Sequence, residues 1–392
     1  YEKFRDAKVD GLFVPHCNFG TEYEVCRLAK KLNVPVLLWG PRDECPDENG
    51  MRLRDSQCGL FATGKVLRRF GIPFTYLKNC NLEDECFAEG IDRFLRVCNV
   101  VKAFRNTRVL QISTRPFDFW STMCNEGELL EKFGIQLSPI PMPELTQAMK
   151  DVKENSPEEI KEVTDYCREK MCIKVTPEQL DNVAALKIAM TRLGKKYGCN
   201  CGAIQCWNAL QDEIGIMPCA ANALCNDEGF PIACETDIHG TITSVLVEAA
   251  AMGETRSFFA DWTVRHPYND NAELLQHCGP WPISIAKEKP TIDTPVAFDC
   301  SGSLMAQAKD GEHISLVRFD GDNGEYSLLL GNAKTVDGPY TKGTYMWVEV
   351  ENLDRLEDKL VQGPYIHHCV GVHQDVVPVL YEACKYIGVT PD

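Results

Sequence analysis

Apolar and polar positions follow two textures along this chain. Before about residue 285, short apolar runs alternate with stretches in which apolar residues recur every three or four positions. Val9 to Val14 and Val34 to Trp39 read as strands, after an opening helix over Tyr1 to Ala7. The helix between the two strands starts at Thr21 and carries Glu22 and Glu24, where the helix dipole favours acids. The rhythm continues with a helix over Asp55 to Phe70, a strand over Phe74 to Leu77, a helix over Leu82 to Phe104 and a strand over Arg108 to Ser113. Thr114 to Asn125 is a loop rich in aromatic residues, and Glu126 to Phe133 is a helix stopped by Gly134. Ser156-Pro157 and Thr176-Pro177 both mark helix starts, since the hydroxyl caps and proline suits the first helical position. Strands alternating with helices mean parallel sheets with crossover connections.

Later the texture becomes β-rich. Ser315 to Phe319, Tyr326 to Leu330 and Thr344 to Val350 are strand-like, separated by turn signals such as Asp337-Gly338. The predicted fold class is therefore α/β: Rossmann-like parallel-sheet domains followed by a β-rich, antiparallel, barrel-like C-terminal domain. Gly40-Pro41-Arg42-Asp43 opens a charged stretch that suggests a first boundary. The expected domains are 1–41, 42–255 and 256–392. Because the sequence begins at Tyr1 inside a helical pattern, an upstream segment is expected to be missing.

Composition narrows the function. The chain has 392 residues and a net charge of −16, which argues against nucleic acid and anionic membranes as partners. No signal peptide, lipidation motif or long apolar span is visible. Twenty cysteines are many, but none form C-x-x-C, and Cys199, Cys201 and Cys206 have spacing unlike zinc or cluster sites. They read as buried thiols of a cytoplasmic protein.

Candidate chemistry lies in a few acids and histidines. Glu235 and Asp237 follow an apolar run and precede an apolar helix over Thr241 to Met252, with His239 between. Strand ends that lead into helices are where open α/β sheets place ligands, although acids there also serve the helix dipole alone. Asp261 sits within an aromatic run, a costly place for a carboxylate without a partner or metal. His277 precedes the rigid Cys278-Gly279-Pro280 turn. His367 and His368 are adjacent, so in a strand only one of them can face a given site. Acids with imidazoles make a mixed O/N site: carboxylates suit Mg or Mn, and imidazole adds room for Mn, Co, Fe or Zn.

The combination resembles the L-fucose and L-arabinose isomerase family. Cys234-Glu235-Thr236-Asp237-Ile238-His239-Gly240 is similar to that family's strand-end acidic motif. Ser257 to Thr263, Gln276-His277-Cys278-Gly279 and the pair His367-His368 follow in the family's order. The Trp39-Gly40-Pro41 turn, the Arg108 to Gly134 unit and the last helix, Asp375 to Gly388, are also similar. The resemblance implies a three-part subunit, here short at its N-terminus, that binds Mn²⁺ and assembles as a homohexamer or homotrimer. It implies Glu235, Asp261 and His368 (or His367) as metal ligands, with His277 as an additional ligand seen in the arabinose branch. The double histidine is the arabinose pattern, whereas Asp261 matches the fucose branch.

The expected activity is metal-dependent aldose–ketose isomerisation of a fucose- or arabinose-like monosaccharide through an ene-diol, with Glu235 and Asp261 as acid and base. The competing readings are a non-catalytic sugar-binding protein and a metal-dependent hydrolase. The absence of H-E-x-x-H weighs against the second.

Overall fold

A computed structural model describes residues 1–295 and 299–392. It divides into two compact units. The first comprises Tyr1–Lys102 and Pro378–Gly388. Its strands β1 (Leu12–Pro15), β2 (Val36–Trp39) and β3 (Thr75–Tyr76) form a parallel sheet in that order. The central strand β2 is buried along its whole length, as expected of a parallel strand covered on both faces. The Gly40 to Asp55 stretch lies within this unit as the connection from β2 to the helix Ser56–Arg69. The chain's final helix, Val377–Ile387, sends Tyr386 Oη to the carbonyl of Val36 at 3.1 Å.

The second unit comprises Ala103–Val377 and Val389–Asp392. Its first part is a parallel sheet in the order β5-β4-β7-β8, made of β4 (Arg108–Ile112), β5 (Gln136–Ile140), β7 (Cys201–Ile204) and β8 (Ile232–Ala233). The helix Pro177–Tyr197 begins with a full capping box: Thr176 Oγ1 accepts from the Gln179 amide at 3.2 Å, and the Gln179 side chain accepts from the Thr176 amide at 3.0 Å. Ser156 precedes the helix Pro157–Lys170 as expected, but its hydroxyl accepts from Arg192 at 2.9 Å instead of capping.

The second part is a closed barrel. Its six strands are β9 (Phe258–His266), β10 (Asn269–His277), β13 (Ile314–Asp322), β14 (Glu325–Val336), β15 (Thr344–Val350) and β16 (His368–Val372). They pair antiparallel around the ring in the order β14-β13-β16-β9-β10-β15 and back to β14. Short strands β6 (Cys172–Ile173), β11 (Thr291–Asp293), β12 (Ser303–Gln307) and β17 (Thr390–Pro391) extend the sheet. Phe258, Ala260 and Trp262 pack with Leu316, Met346, Val348 and Cys369 in one core. Because strand residues alternate, Phe259, Asp261 and His368 project to the opposite face.

The helix Ile238–Ala250 packs against that face and is apolar and buried almost throughout. It starts three residues before the expected Thr241, because the Asp237 side chain accepts from the Gly240 amide at 2.9 Å and caps it. A Cβ on Gly240 would stand 2.5 Å from the Phe259 ring, so glycine permits the close approach to β9. All twenty cysteines are free. Among the described residues, no helix is long and apolar enough to cross a membrane.

Glu273 on β10 is buried at 8 % exposure, and its Oε2 has no hydrogen-bond partner. Burial disfavours its charged form and the nearby Glu357 repels it, so its pKa rises to about 7. In the unfolded chain the same group ionises near about pH 4.3. The folded state thus keeps a proton that the unfolded state releases. Stability is unaffected below about pH 4, falls as pH rises towards 7, and stays lowered above. Glu273→Gln is predicted to gain about 1–2 kcal/mol at about pH 8, allowing for solvent screening, and nothing at about pH 4. Thermal melts of both proteins at the two pH values check this; coincident melts at the higher pH contradict it.

Candidate active site

Glu235 follows β8 at the carboxyl edge of the parallel sheet. Glu235 and Thr236 both lie in the left-handed region, with φ of 52° and 53°. Two such residues in succession cost about 1–3 kcal/mol each and persist only where surroundings hold them. Here the Glu235 amide donates to Cys206 Sγ at 3.3 Å, the Thr236 amide to Ile204 O at 3.0 Å, and Thr122 Oγ1 to Glu235 O at 3.3 Å. The bend aims the Glu235 side chain at the outer face of the barrel.

The two oxygens of Glu235 have different surroundings. Oε1 accepts from the Cys206 thiol and from Trp207 Nε1, both at 3.2 Å. Oε2 is buried and has no hydrogen-bond partner. Asp261 on β9 repeats this pattern, because its Oδ1 is also buried without a partner. Two imidazoles face these bare oxygens. His277 Nε2, at the end of β10, lies 3.4 Å from Glu235 Oε2 and 3.9 Å from Asp261 Oδ1. His368 Nε2, at the start of β16, lies 3.8 Å and 3.5 Å from the same atoms. The end of β8, the neighbouring strands β9 and β10, and the distant strand β16 thus bring Glu235, Asp261, His277 and His368 together.

His367 and His368 diverge, as adjacent strand residues must. His368 is 1 % exposed, and its partner in the β9–β16 register is Asp261. His367 is exposed, although one of its ring nitrogens comes within 4.8 Å of an Asp261 oxygen.

Behind this cluster lies a buried ionic network that the sequence reading did not assemble. Arg318 on β13, 1 % exposed, pairs with Asp237 through both terminal nitrogens and with Asp320 at 2.8 Å. Asp320 also meets His239 Nδ1 at 2.9 Å. Asp237 Oδ2 lies 2.8 Å from His368 Nδ1. The available signal was a lone arginine inside the apolar run Leu316 to Phe319, which burial tolerates only with carboxylate partners. Nothing in the sequence pointed to Cys206 and Trp207 as the groups that occupy one oxygen of Glu235.

Electrostatics follow from this packing. Burial opposes ionisation of Glu235, but His277, His368 and the Cys206 thiol outweigh it and bring the carboxyl to about 2. For Asp237, burial is likewise outweighed, mainly by the Arg318 charge and the His368 contact, leaving it well below the usual carboxylate range. Burial disfavours a charged His277, yet Asp261 and Glu235 prevail and raise the affinity of this ring for its proton.

Residues 1–105 match a family profile described as fucose/sulfoquinovose isomerase, N-terminal domain. Sulfoquinovose isomerase of Priestia aryabhattai is 24 % identical over 394 residues, spanning 99 % of this chain and 86 % of the relative. Sulfoquinovose isomerase of Alkalicoccus urumqiensis is 24 % identical over 357 residues, spanning 90 % and 79 %. The chain is a relative of the fucose/sulfoquinovose isomerases.

The cluster of this isomerase relative fits a divalent ion. Bonds of about 2.0–2.3 Å place neighbouring ligand atoms roughly 2.8–3.8 Å apart. Three of the four separations, 3.4, 3.5 and 3.8 Å, lie in the upper part of that range, and the fourth, 3.9 Å between His277 and Asp261, lies just beyond it. Two bare carboxylate oxygens with imidazole nitrogens form a hard, mixed O/N donor set. Glu235→Gln and Asp261→Asn are each predicted to weaken Mn²⁺ binding by more than about 100-fold, beyond the loss typical of outer groups. Isothermal titration with Mn²⁺ checks this, and wild-type affinity in either variant removes that residue from the site.

Proposed function

We propose that the chain is an aldose–ketose isomerase of a monosaccharide, working with Mn²⁺, for which Co²⁺ or Mg²⁺ can substitute. The observation that supports this best is the convergence of two buried, bare carboxylate oxygens with imidazole nitrogens between them, in a relative of sugar isomerases. A divalent ion held there would supply Lewis acidity towards the two sugar oxygens between which hydrogen is exchanged.

The chain's own groups account for the rest. Isomerisation moves a proton between adjacent carbons through an ene-diol, and an ionised carboxylate can remove it and return it. Glu235 and Asp261 serve as this acid–base pair. Cys206 and Trp207 hold Oε1 of Glu235 and leave Oε2 bare. The Trp207 ring packs edge-on to Phe119 at 5.0 Å, while Phe259 lies against both His277 and His368. With Glu235 itself buried, these aromatic walls limit water around its carboxylate, which strengthens its interaction with a bound sugar.

The relatives act by name on sulfoquinovose, whereas the sequence motifs resemble those of fucose and arabinose isomerases. A panel of sulfoquinovose, L-fucose, L-arabinose and their ketoses is the direct test. Chelation is predicted to abolish isomer formation and Mn²⁺ to restore it. Glu235→Gln and Asp261→Asn are predicted to lose about 10²–10⁴-fold or more in turnover. Full turnover in protein shown to be metal-free refutes the metal requirement. Sugar binding without isomer formation, with metal present, makes the chain a binding protein instead.

A further inference from the structure

The two imidazoles that face Glu235 and Asp261 are held from behind by groups of opposite character. His368 Nδ1 lies 2.8 Å from Asp237 Oδ2. Asp237 also accepts from Arg318 and from the Gly240 amide, and it is fully buried. A carboxylate paired with a guanidinium only accepts hydrogen bonds. His368 therefore carries a proton on Nδ1 and can present a lone pair at Nε2. His277 Nδ1 lies 2.9 Å from the backbone nitrogen of Cys278. A backbone N–H only donates, so this Nδ1 holds the lone pair and the ring proton sits on Nε2.

The same bare oxygens thus meet two different Nε2 atoms. From His368 comes a lone pair, at 3.8 Å from Glu235 Oε2 and 3.5 Å from Asp261 Oδ1. From His277 comes an N–H, at 3.4 and 3.9 Å. A metal ion binds a lone pair and cannot bind an N–H. We propose that Asp237 is a positioning residue that makes His368 the metal ligand, and that the Cys278 amide makes His277 an N–H donor outside the coordination shell. This rests on reading the cluster as a metal site, and it departs from the arabinose-branch pattern in which the residue matching His277 binds the ion. Three side chains, Glu235, Asp261 and His368, then hold the ion. The His277 N–H is left for an oxygen of the sugar or of a ligating carboxylate.

Two readouts test this, one of them without metal. In metal-free, ¹⁵N-histidine-labelled protein, at a pH high enough for both rings to be neutral, long-range ¹H–¹⁵N spectra are expected to show His368 protonated on Nδ1 and His277 protonated on Nε2 with Nδ1 bare. Loss of peaks in His277→Gln and His368→Gln assigns the rings. Mn²⁺ titration is expected to show unchanged affinity for His277→Gln, a large loss for His368→Gln, and a loss of about 10–100-fold for Asp237→Asn. Asparagine caps a helix as well as aspartate does, so the Ile238–Ala250 helix keeps its start while the charge behind His368 is gone. A purely structural Asp237 would lower the melting temperature of Asp237→Asn and leave its Mn²⁺ affinity at the wild-type value, which overturns the proposal. So does a neutral His277 ring with its proton on Nδ1, or a His277→Gln affinity loss equal to that of His368→Gln. If wild-type protein binds no Mn²⁺, the metal reading falls, and the ring protonation read in metal-free protein still sustains or overturns the tautomer assignment.

Discussion

The candidate site depends on one buried cation. Arg318 is almost wholly enclosed, and its charge is balanced by Asp237 and Asp320. Removing one partner of such a pair typically costs about 3–5 kcal/mol, because the other charge is left buried and uncompensated. Arg318 lies on a barrel strand, whereas Asp237 starts the helix that follows the parallel sheet. The pair therefore ties the sheet edge carrying Glu235 to the barrel face carrying Asp261 and His368. It also fixes the start of a helix and the back of His368 with one carboxylate.

Around this anchor, the site is organised by leaving particular atoms unsatisfied. Buried polar atoms ordinarily find partners, so a bare buried oxygen calls for an explanation. Glu235 has one oxygen taken by a thiol and an indole and one left bare, and the bare one faces the imidazoles. Asp261 contributes a second bare oxygen from a strand whose alternate residues fill the barrel core. The left-handed backbone at Glu235 and Thr236 is the strain that accompanies this aim. Strain, bare carboxylates and a proton-retaining imidazole in one place are the marks of a site built to hold something else.

Much of the architecture was legible in the sequence, for identifiable reasons. Strand and helix periodicities gave the parallel sheets, and the turn-separated β-rich tail gave a barrel. Thr176-Pro177 gave a capped helix because the box residues are adjacent in sequence. Ser156 has the same local signal, but its hydroxyl is claimed by Arg192, a tertiary contact that no local pattern encodes. The helix after Glu235 begins at Ile238 and not at Thr241 because the Asp237 side-chain cap outranks the apolar run that follows it. Order along the chain also brought Glu235, Asp261, His277 and the histidine pair to notice. Their assignment to either face of a strand, and the groups behind each ring, needed the barrel's closure and register, which depend on pairings between distant strands.

The central claim is that the bare oxygens of Glu235 and Asp261, together with His368, form the seat of a divalent ion. Anomalous diffraction at the manganese edge, from crystals equilibrated with Mn²⁺, tests it most directly. The expected result is one anomalous peak bonded at about 2.0–2.3 Å to Glu235 Oε2, Asp261 Oδ1 and His368 Nε2. An ion seated elsewhere in the chain, or none at saturating Mn²⁺, contradicts the account.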